Sequence, residues 1–302
     1  MKTIGHFLSF LFAWTLYLPF RILPYRACQA FGVGFLRLLY PIARGHRAIA
    51  LENIAHAFPA MSHAQHQELV RKHFRHLGLI LADSLYIPRM DRKWLEENVV
   101  YEKGARENEQ DALARGVPTI ILTGHLGAWE VLGAICGQVY HGGTLYKKMR
   151  NPFLDRWFGR IRGASGLRLF PIEETTAAIK ELKRGMWMGF VADQNAGRAG
   201  VFVDFLNRPA STYQGPVAMS CVTGARICVY ACVHGPDRKI HLSLTDLGVI
   251  DPRSGRREEL IRKYTQLWSD ILAEKVREYP EQYFWVHRRW KTRPEDVVQI
   301  AA

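Results

Sequence analysis

The segment Thr123–Glu130, TGHLGAWE, carries a histidine and a carboxylate five residues apart, His125 and Glu130. A neutral imidazole held by a carboxylate is a competent general base for an alcohol. No serine or cysteine nucleophile is needed if the acceptor hydroxyl attacks directly. The spacing limits how the two can meet. On one helix they would stand ~140° apart about the axis. With His125 in a turn and Glu130 in the first helical turn behind it, they can face each other. Gly124 and Gly127 ease such a turn, and the helix dipole favours a carboxylate in a first turn. A histidine in a strand–helix turn is as readily structural, so the pair does not decide the chemistry alone. A zinc site built from His125 with Glu130, Cys136 or His141 lacks the close ligand spacing of a metal centre, and no metal is expected.

The surrounding pattern supplies that turn. Pro118–Thr123 (PTIILT) reads as a buried strand and Ala128–Cys136 as the helix after it. Further strands are expected over 144–147, 167–171, 187–192, 227–233 and 239–245, the last two joined at Gly235-Pro236-Asp237. Helices are expected over 28–40, before a break at Pro41–Arg47, and over 62–85, with Ser62 as N-cap and Pro88 closing. Others fall at 173–184, ending at Gly185, at 216–222, and at 258–279, stopped by Pro280. Strands separated by helices imply an α/β sandwich on a mainly parallel or mixed sheet. Asp193 and Gln194 then fall at a strand end, where α/β folds place their sites, although aspartate also favours turns for its own sake.

The 302 residues carry a formal net charge of +13, which favours anionic partners such as lipid headgroups, an acidic carrier protein or nucleic acid. The five cysteines are odd in number and form no C-x-x-C pair, which argues against a disulfide framework. Cys228 and Cys232, alternating with Tyr230, read as one packed face of a strand. Near the N-terminus, Phe7–Leu23 is apolar and aromatic but is interrupted by Pro19 and Arg21, and it lacks the small-residue end of a cleaved signal. With Trp14, Tyr17 and Tyr25 suited to an interface and Arg21 and Arg26 to anionic headgroups, it reads as a membrane anchor that spans once or lies in the interface. A buried core helix is the alternative. The expected division is an anchor over 1–27 and one domain over 28–302. At the other end, Arg288, Arg289, Lys291 and Arg293 interleave with Tyr283, Trp285 and Trp290. Such a cluster could grip phosphates at a membrane, stack nucleic acid, or be a solvated face.

Several segments, taken in order, resemble the lipid A biosynthesis acyltransferases, the late lauroyl/myristoyl transferases of Gram-negative bacteria, within the wider glycerolipid acyltransferase superfamily. After the apolar N-terminus come ENIAHAFP (Glu52–Pro59), GHLGAWE with the H-x4-D/E motif, LYKKMRNPFLDRWFGRIRG (Leu145–Gly163), VADQNAG (Val191–Gly197), VFVDFLNRPA (Val201–Ala210) and PEQYFWVHRRWKTRP (Pro280–Pro294). The resemblance spans nearly the whole chain. It implies an αβ sandwich of the glycerolipid-acyltransferase kind. It also implies an acyl thioester donor on acyl carrier protein or coenzyme A with no further cofactor, and a lipid A precursor as acceptor, at the cytoplasmic face of the bacterial inner membrane. Nucleic acid is not an expected partner. On this reading His125 takes the hydroxyl proton, Glu130 orients the ring and Arg162 faces the oxyanion. Asn151 fixes a loop, and Asp193 and Gln194 fix loops or touch substrate. Lys147 and Lys148 stand where the family commonly has Arg-Pro after its tyrosine; they keep charge there but lack the planar guanidinium fork. Together with Arg288 and Arg289 they are the candidate headgroup contacts. Another lipid acceptor, such as a lysophospholipid or a phosphatidylinositol mannoside, would use the same dyad. A basic binding protein without catalysis would explain the charge but not the joint motifs.

Overall fold

The computed structural model describes residues 2–298. At its centre the β-branched run TIILT forms β2 (Thr119–Thr123), buried at every position, as a parallel strand covered on both faces must be. The other strands are β1 (Val99–Tyr101), β3 (Gly143–Tyr146), β4 (Arg168–Pro171), β5 (Met188–Val191), β6 (Val201–Asp204), β7 (Pro209–Thr212), β8 (Arg226–His234) and β9 (Ile240–Val249). Seven of them make one sheet in the order β1-β9-β8-β2-β5-β3-β4, while β6 and β7 pair as a separate hairpin. The run from β8 to β4 is parallel. β9 turns back antiparallel on β8, and β1 runs with β9. The sheet is therefore mixed, as the alternation of apolar runs implies.

The helices are α1 (Lys2–Ile22), α2 (Tyr25–Leu39), α3 (Arg44–Ala57), α4 (His63–Tyr86), α5 (Arg92–Asn98), α6 (Ala105–Ala114), α7 (Trp129–Gln138), α8 (Pro152–Gly163), α9 (Thr175–Lys183), α10 (Gly215–Thr223), α11 (Arg257–Glu278) and the short α12 (Glu295–Val298). Alternate residues of the strands feed two cores. Ile120, Leu122, Met188 and Phe190 pack with α9, α10 and α11 on one face. Ile121, Trp187, Cys228, Tyr230 and Cys232 pack with α7 and Ile161 of α8 on the other. The two strand cysteines do share a buried face, and all five are free thiols.

Ser62 caps α4 as its sequence implies: its hydroxyl accepts from Gln65 N while the Gln65 side chain accepts from Ser62 N, a reciprocal box. α4 crosses α2 so closely that a Cβ on Gly32 would stand 2.2 Å from the Gly78 carbonyl oxygen, so only glycine fits. The helix expected over 173–184 begins instead with a 3₁₀ turn at Ile172–Glu174 before α9. α3, α5, α6, α8, β1 and the β6–β7 hairpin go beyond the elements read from periodicity.

α1 is the one helix among the described residues long and apolar enough to cross a membrane. Most of it is exposed, including Ile4, Leu8, Leu11, Phe12 and Trp14. One side docks on α8, where Phe7 packs edge-on against Phe153 and both Phe10 and Tyr17 against Trp157.

Candidate active site

β2 ends at Thr123 and α7 begins at Trp129, so His125 sits in the turn between them. That turn is clamped by two distant segments. Gly127 N donates to Gln282 O at 3.0 Å, Ala128 N to Cys232 O at 2.6 Å, and Phe284 N to His125 O at 2.9 Å. Gly127 has φ +62°, and a Cβ there would meet the Cys232 carbonyl oxygen at 2.1 Å, so glycine is needed for both conformation and space. The His125 ring packs edge-on against Trp129 and tilted against Phe284, at centroid distances of 5.1 and 5.7 Å.

The carboxylate that meets this ring is Asp193. β5 lies beside β2, and the chain leaving it brings the Asp193 carboxylate to His125, where Nδ1 donates to Oδ1 at 2.6 Å. Asp193 is fully enclosed. Burial alone would raise its carboxyl, but the attraction and hydrogen bonds of His125, with Arg289 behind, hold it below the ordinary aspartate value. A proton fixed on Nδ1 leaves Nε2 as the acceptor nitrogen of the ring. Gln194 lies next to that nitrogen, its amide donating toward Nε2 at 3.4 Å.

Glu130 goes elsewhere. In the first turn of α7 it faces α8, and Arg162 grips it with two parallel bonds, Nε to Oε2 at 3.1 Å and a terminal nitrogen to Oε1 at 2.5 Å. The Glu130 charge raises the Arg162 guanidinium further, so that it stays protonated. The pairing expected between His125 and Glu130 is thus replaced by two pairs, His125–Asp193 and Glu130–Arg162. The turn aims the imidazole across the strand ends toward β5, while the first turn of α7 aims the carboxylate toward α8.

The other expected site residues separate. Asn151 lies outside the cavity lining. Its Oδ1 caps α8 by accepting from Phe153 N and Leu154 N, and its amide donates to His6 O, tying α8 to α1. Lys147 is exposed on the cavity wall, whereas Lys148 lies outside it, 4.0 Å from Glu173. Arg288 is exposed. Arg289 is not a headgroup contact: it is 2% exposed and donates to Ser211 O and Thr212 Oγ1 of β7. Tyr283, Trp285 and Trp290 are core as well, so the basic-aromatic cluster divides into a buried half and a solvated half. The motifs also hid a support. Asn53, in ENIAHAFP, donates to Trp285 O and His287 O at 2.7 Å each, pinning the C-terminal loop that backs His125. Nothing in its local pattern marks that role, because its partners lie 232 and 234 residues away.

The paired residues open onto one cavity of about 660 Å³. β3 and β5 pair only at Gly143–Met188 and Thr144–Gly189. Past that point Leu145 and Tyr146 stay with β4, and Phe190 and Val191 stay with β2, so the sheet splits at its C-terminal edge. The cavity is lined by residues from both faces: Ile121, Leu132 and Cys136 on one, Phe190, Ile179 and Met219 on the other. His125, Glu130, Arg162 and Gln194 line it as well. The arrangement offers a base, a fixed cation and a long apolar space. No group of three or more metal-ligating side chains occurs among the described residues.

The family model described as bacterial lipid A biosynthesis acyltransferase matches residues 2–292. The chain belongs to this family. It is an acyltransferase. It is similar to a lipid A biosynthesis lauroyltransferase of Escherichia coli (strain K12), 28% identical over 91% of this chain and 89% of the relative. A lipid A biosynthesis palmitoleoyltransferase of the same strain is 24% identical over 90% and 87%. A phosphatidylinositol mannoside acyltransferase of Mycobacterium tuberculosis (strain CDC 1551 / Oshkosh) is 22% identical over 68% and 64%. Membership sets aside the reading of a basic binding protein without catalysis.

Proposed function

We propose that this acyltransferase moves a fatty acyl chain from a thioester, on acyl carrier protein or coenzyme A, to a hydroxyl of a lipid A precursor at the cytoplasmic face of the bacterial inner membrane. The observation that carries the chemistry is the imidazole of His125, with Nδ1 held by Asp193 and Nε2 on the side away from that carboxylate, at the wall of an apolar cavity that also holds the Glu130–Arg162 pair. The acceptor hydroxyl attacks the thioester carbonyl carbon as Nε2 takes its proton. Asp193 stabilises the imidazolium that forms. Charge collects on the carbonyl oxygen, and Arg162 is the donor for it: Glu130 occupies two of its five N–H groups and leaves three. The carbon–sulfur bond then breaks, the thiolate takes the proton from the imidazolium, and an ester and a free thiol leave. Glu130 thus serves the reaction through Arg162, not through the ring.

The exposed apolar side of α1 supports membrane association. The relatives' names favour a lipid A acceptor, and the more distant mannoside enzyme names the second acceptor to try. The test is full-length protein in detergent micelles with labelled acyl-carrier thioester and tetra-acylated lipid A precursor, beside His125→Ala. Transfer that falls by ~100-fold or more in the variant, as the loss of a general base requires, supports the reading. Transfer only to a lysophospholipid or mannoside overturns the acceptor, and equal rates in the variant overturn the base.

A further inference from the structure

β5 runs between β2 and β3 beneath α7, yet Gly189 at its middle is not fully buried. A residue there should be buried on both faces. It is open because the cavity reaches it. Gly133, one turn beyond Glu130 on the covering helix, is partly exposed for the same reason. Neither glycine answers a demand of the fold. Neither has a left-handed backbone. A Cβ on Gly189 would find Gly143 O at 3.8 Å and Cys136 Sγ at 3.9 Å, and one on Gly133 only Leu167 Cδ2 at 3.7 Å, all ordinary contacts. Nearby Gly137 differs, since a Cβ there would come 2.4 Å from the Leu167 backbone nitrogen. Glycine inside a helix or strand costs about 0.5–1 kcal/mol relative to alanine. What these two supply in return is empty volume between α7 and the sheet.

That volume is one arm of the cavity. It starts beside the Glu130–Arg162 pair and ends against Ile121, Cys136 and Leu167, which are 1%, 3% and 8% exposed. The other arm, beyond the split in the sheet, reaches the surface at Ile172, Tyr213 and Val222, all about half exposed. A blind apolar arm suits a single unbranched chain, whereas an arm open to the surface suits part of a larger lipid. We propose that the blind arm under α7 holds the acyl chain of the donor, and that Gly133 and Gly189 set the longest chain it accepts. This rests on the acyl-transfer reading above.

The experiment uses a graded series of straight-chain acyl thioesters, from medium to long, with full-length wild type, Gly133→Ala, Gly133→Leu and Gly189→Val. Displacement of a fluorescent fatty acid by free fatty acids of the same lengths reads the arm without turnover. The kcat/KM ratio of the longest chain to the shortest is expected to fall by ~10-fold or more in the larger substitutions, the discrimination that one or two methylenes give in an apolar pocket. The binding cut-off should move to shorter chains in step. Ala218→Leu, on the α10 wall of the cavity beside Met219 and Val222, should crowd the open arm and slow transfer at every length but leave the fatty-acid cut-off where it is. A cut-off unmoved in glycine variants that melt like wild type overturns the proposal, as does equal loss at every length in them. Gly133→Ala suits its helix and keeps the test open if the bulkier variants fail to fold. A cut-off that shifts in binding while wild type transfers no acyl group would keep the gauge and reject the acyl-transfer reading instead.

Discussion

Asp193 and Glu130 are both carboxylates of the site, and their partners give them different work. Asp193 accepts the Nδ1 proton of His125; Glu130 is occupied by Arg162. Asp193→Asn presents an amide that can donate to Nδ1, which would move the proton to Nε2 and remove the base. We expect kcat to fall on the order of 10²–10⁴-fold with KM little changed. Glu130→Gln should lower kcat through Arg162 instead. Double-variant kinetics decide it: the Asp193→Asn loss should vanish in a His125→Ala background and the Glu130→Gln loss in an Arg162→Ala background, and the opposite pattern would reverse the roles. His125 was legible from the turn in TGHLGAWE, and Asp193 from its place at a strand end. Their pairing was not, because it depends on β5 lying next to β2, which no local pattern reveals. Arg289 was misread for a related reason: a basic residue in a basic run looks solvated until tertiary packing encloses it.

At the level of elements, the site depends on a loop that belongs to neither β2 nor α7. The C-terminal segment bonds back to His125, accepts Asn195 N on His287 Nε2 at 3.1 Å, and is held from behind by Asn53 of α3. Asn53→Ala leaves two carbonyls without a donor, Trp285 O buried and His287 O partly so, which costs about 1–3 kcal/mol each at most. We expect a melting temperature several degrees lower, at ~2–4 °C per kcal/mol for a large domain, with kcat reduced at similar KM. Asn53→Asp, which cannot donate, should be worse than alanine. Calorimetry with steady-state rates checks both, and unchanged melting in Asn53→Asp would show that the loop stands without α3. The elements that were readable had strong local signals: the box at Ser62, the run 118–123, the stop at Pro280. α3 and α6 lacked them. Their N-caps are Ala43 and Gly104, with no capping side chain, and neither helix has a clear apolar stripe. α8 went unread although Asn151 followed by Pro152 marks its start.

Across the whole molecule, buried ionisable groups under the sheet tie stability to pH. Burial lowers His73 to about 3 and His76 well below the ordinary imidazole value, the latter also opposed by His234 and His73. In the unfolded chain both protonate near 6.5. As pH falls below that value the unfolded state gains protons that the folded state refuses. Each histidine therefore removes up to ~1.4 kcal/mol of stability per pH unit. Glu109 acts with the opposite sign. Burial pushes its carboxyl up to about 7 from 4.5, so between those values the folded state is the one that takes the proton, offsetting one of the two histidines. Below about 4.5 the offset ends and both histidines act unopposed, and below 3.8 the depressed carboxyl of Asp193 adds to the loss. We expect melting temperature to decline gently from pH 6.5 to 4.5 and steeply beneath. His73→Phe, which fills the same space without a titrating group, should flatten the decline. Glu109→Gln should raise stability at pH 8 by up to about 3 kcal/mol, the value of its shift, and should lose that advantage near pH 5. A melting series from pH 8 to pH 4 on the three proteins reads all of this. An advantage of Glu109→Gln that persists at pH 5 would mean that its charge is not what burial opposes, and that packing around Tyr140 and Tyr230 sets the stability of that corner instead.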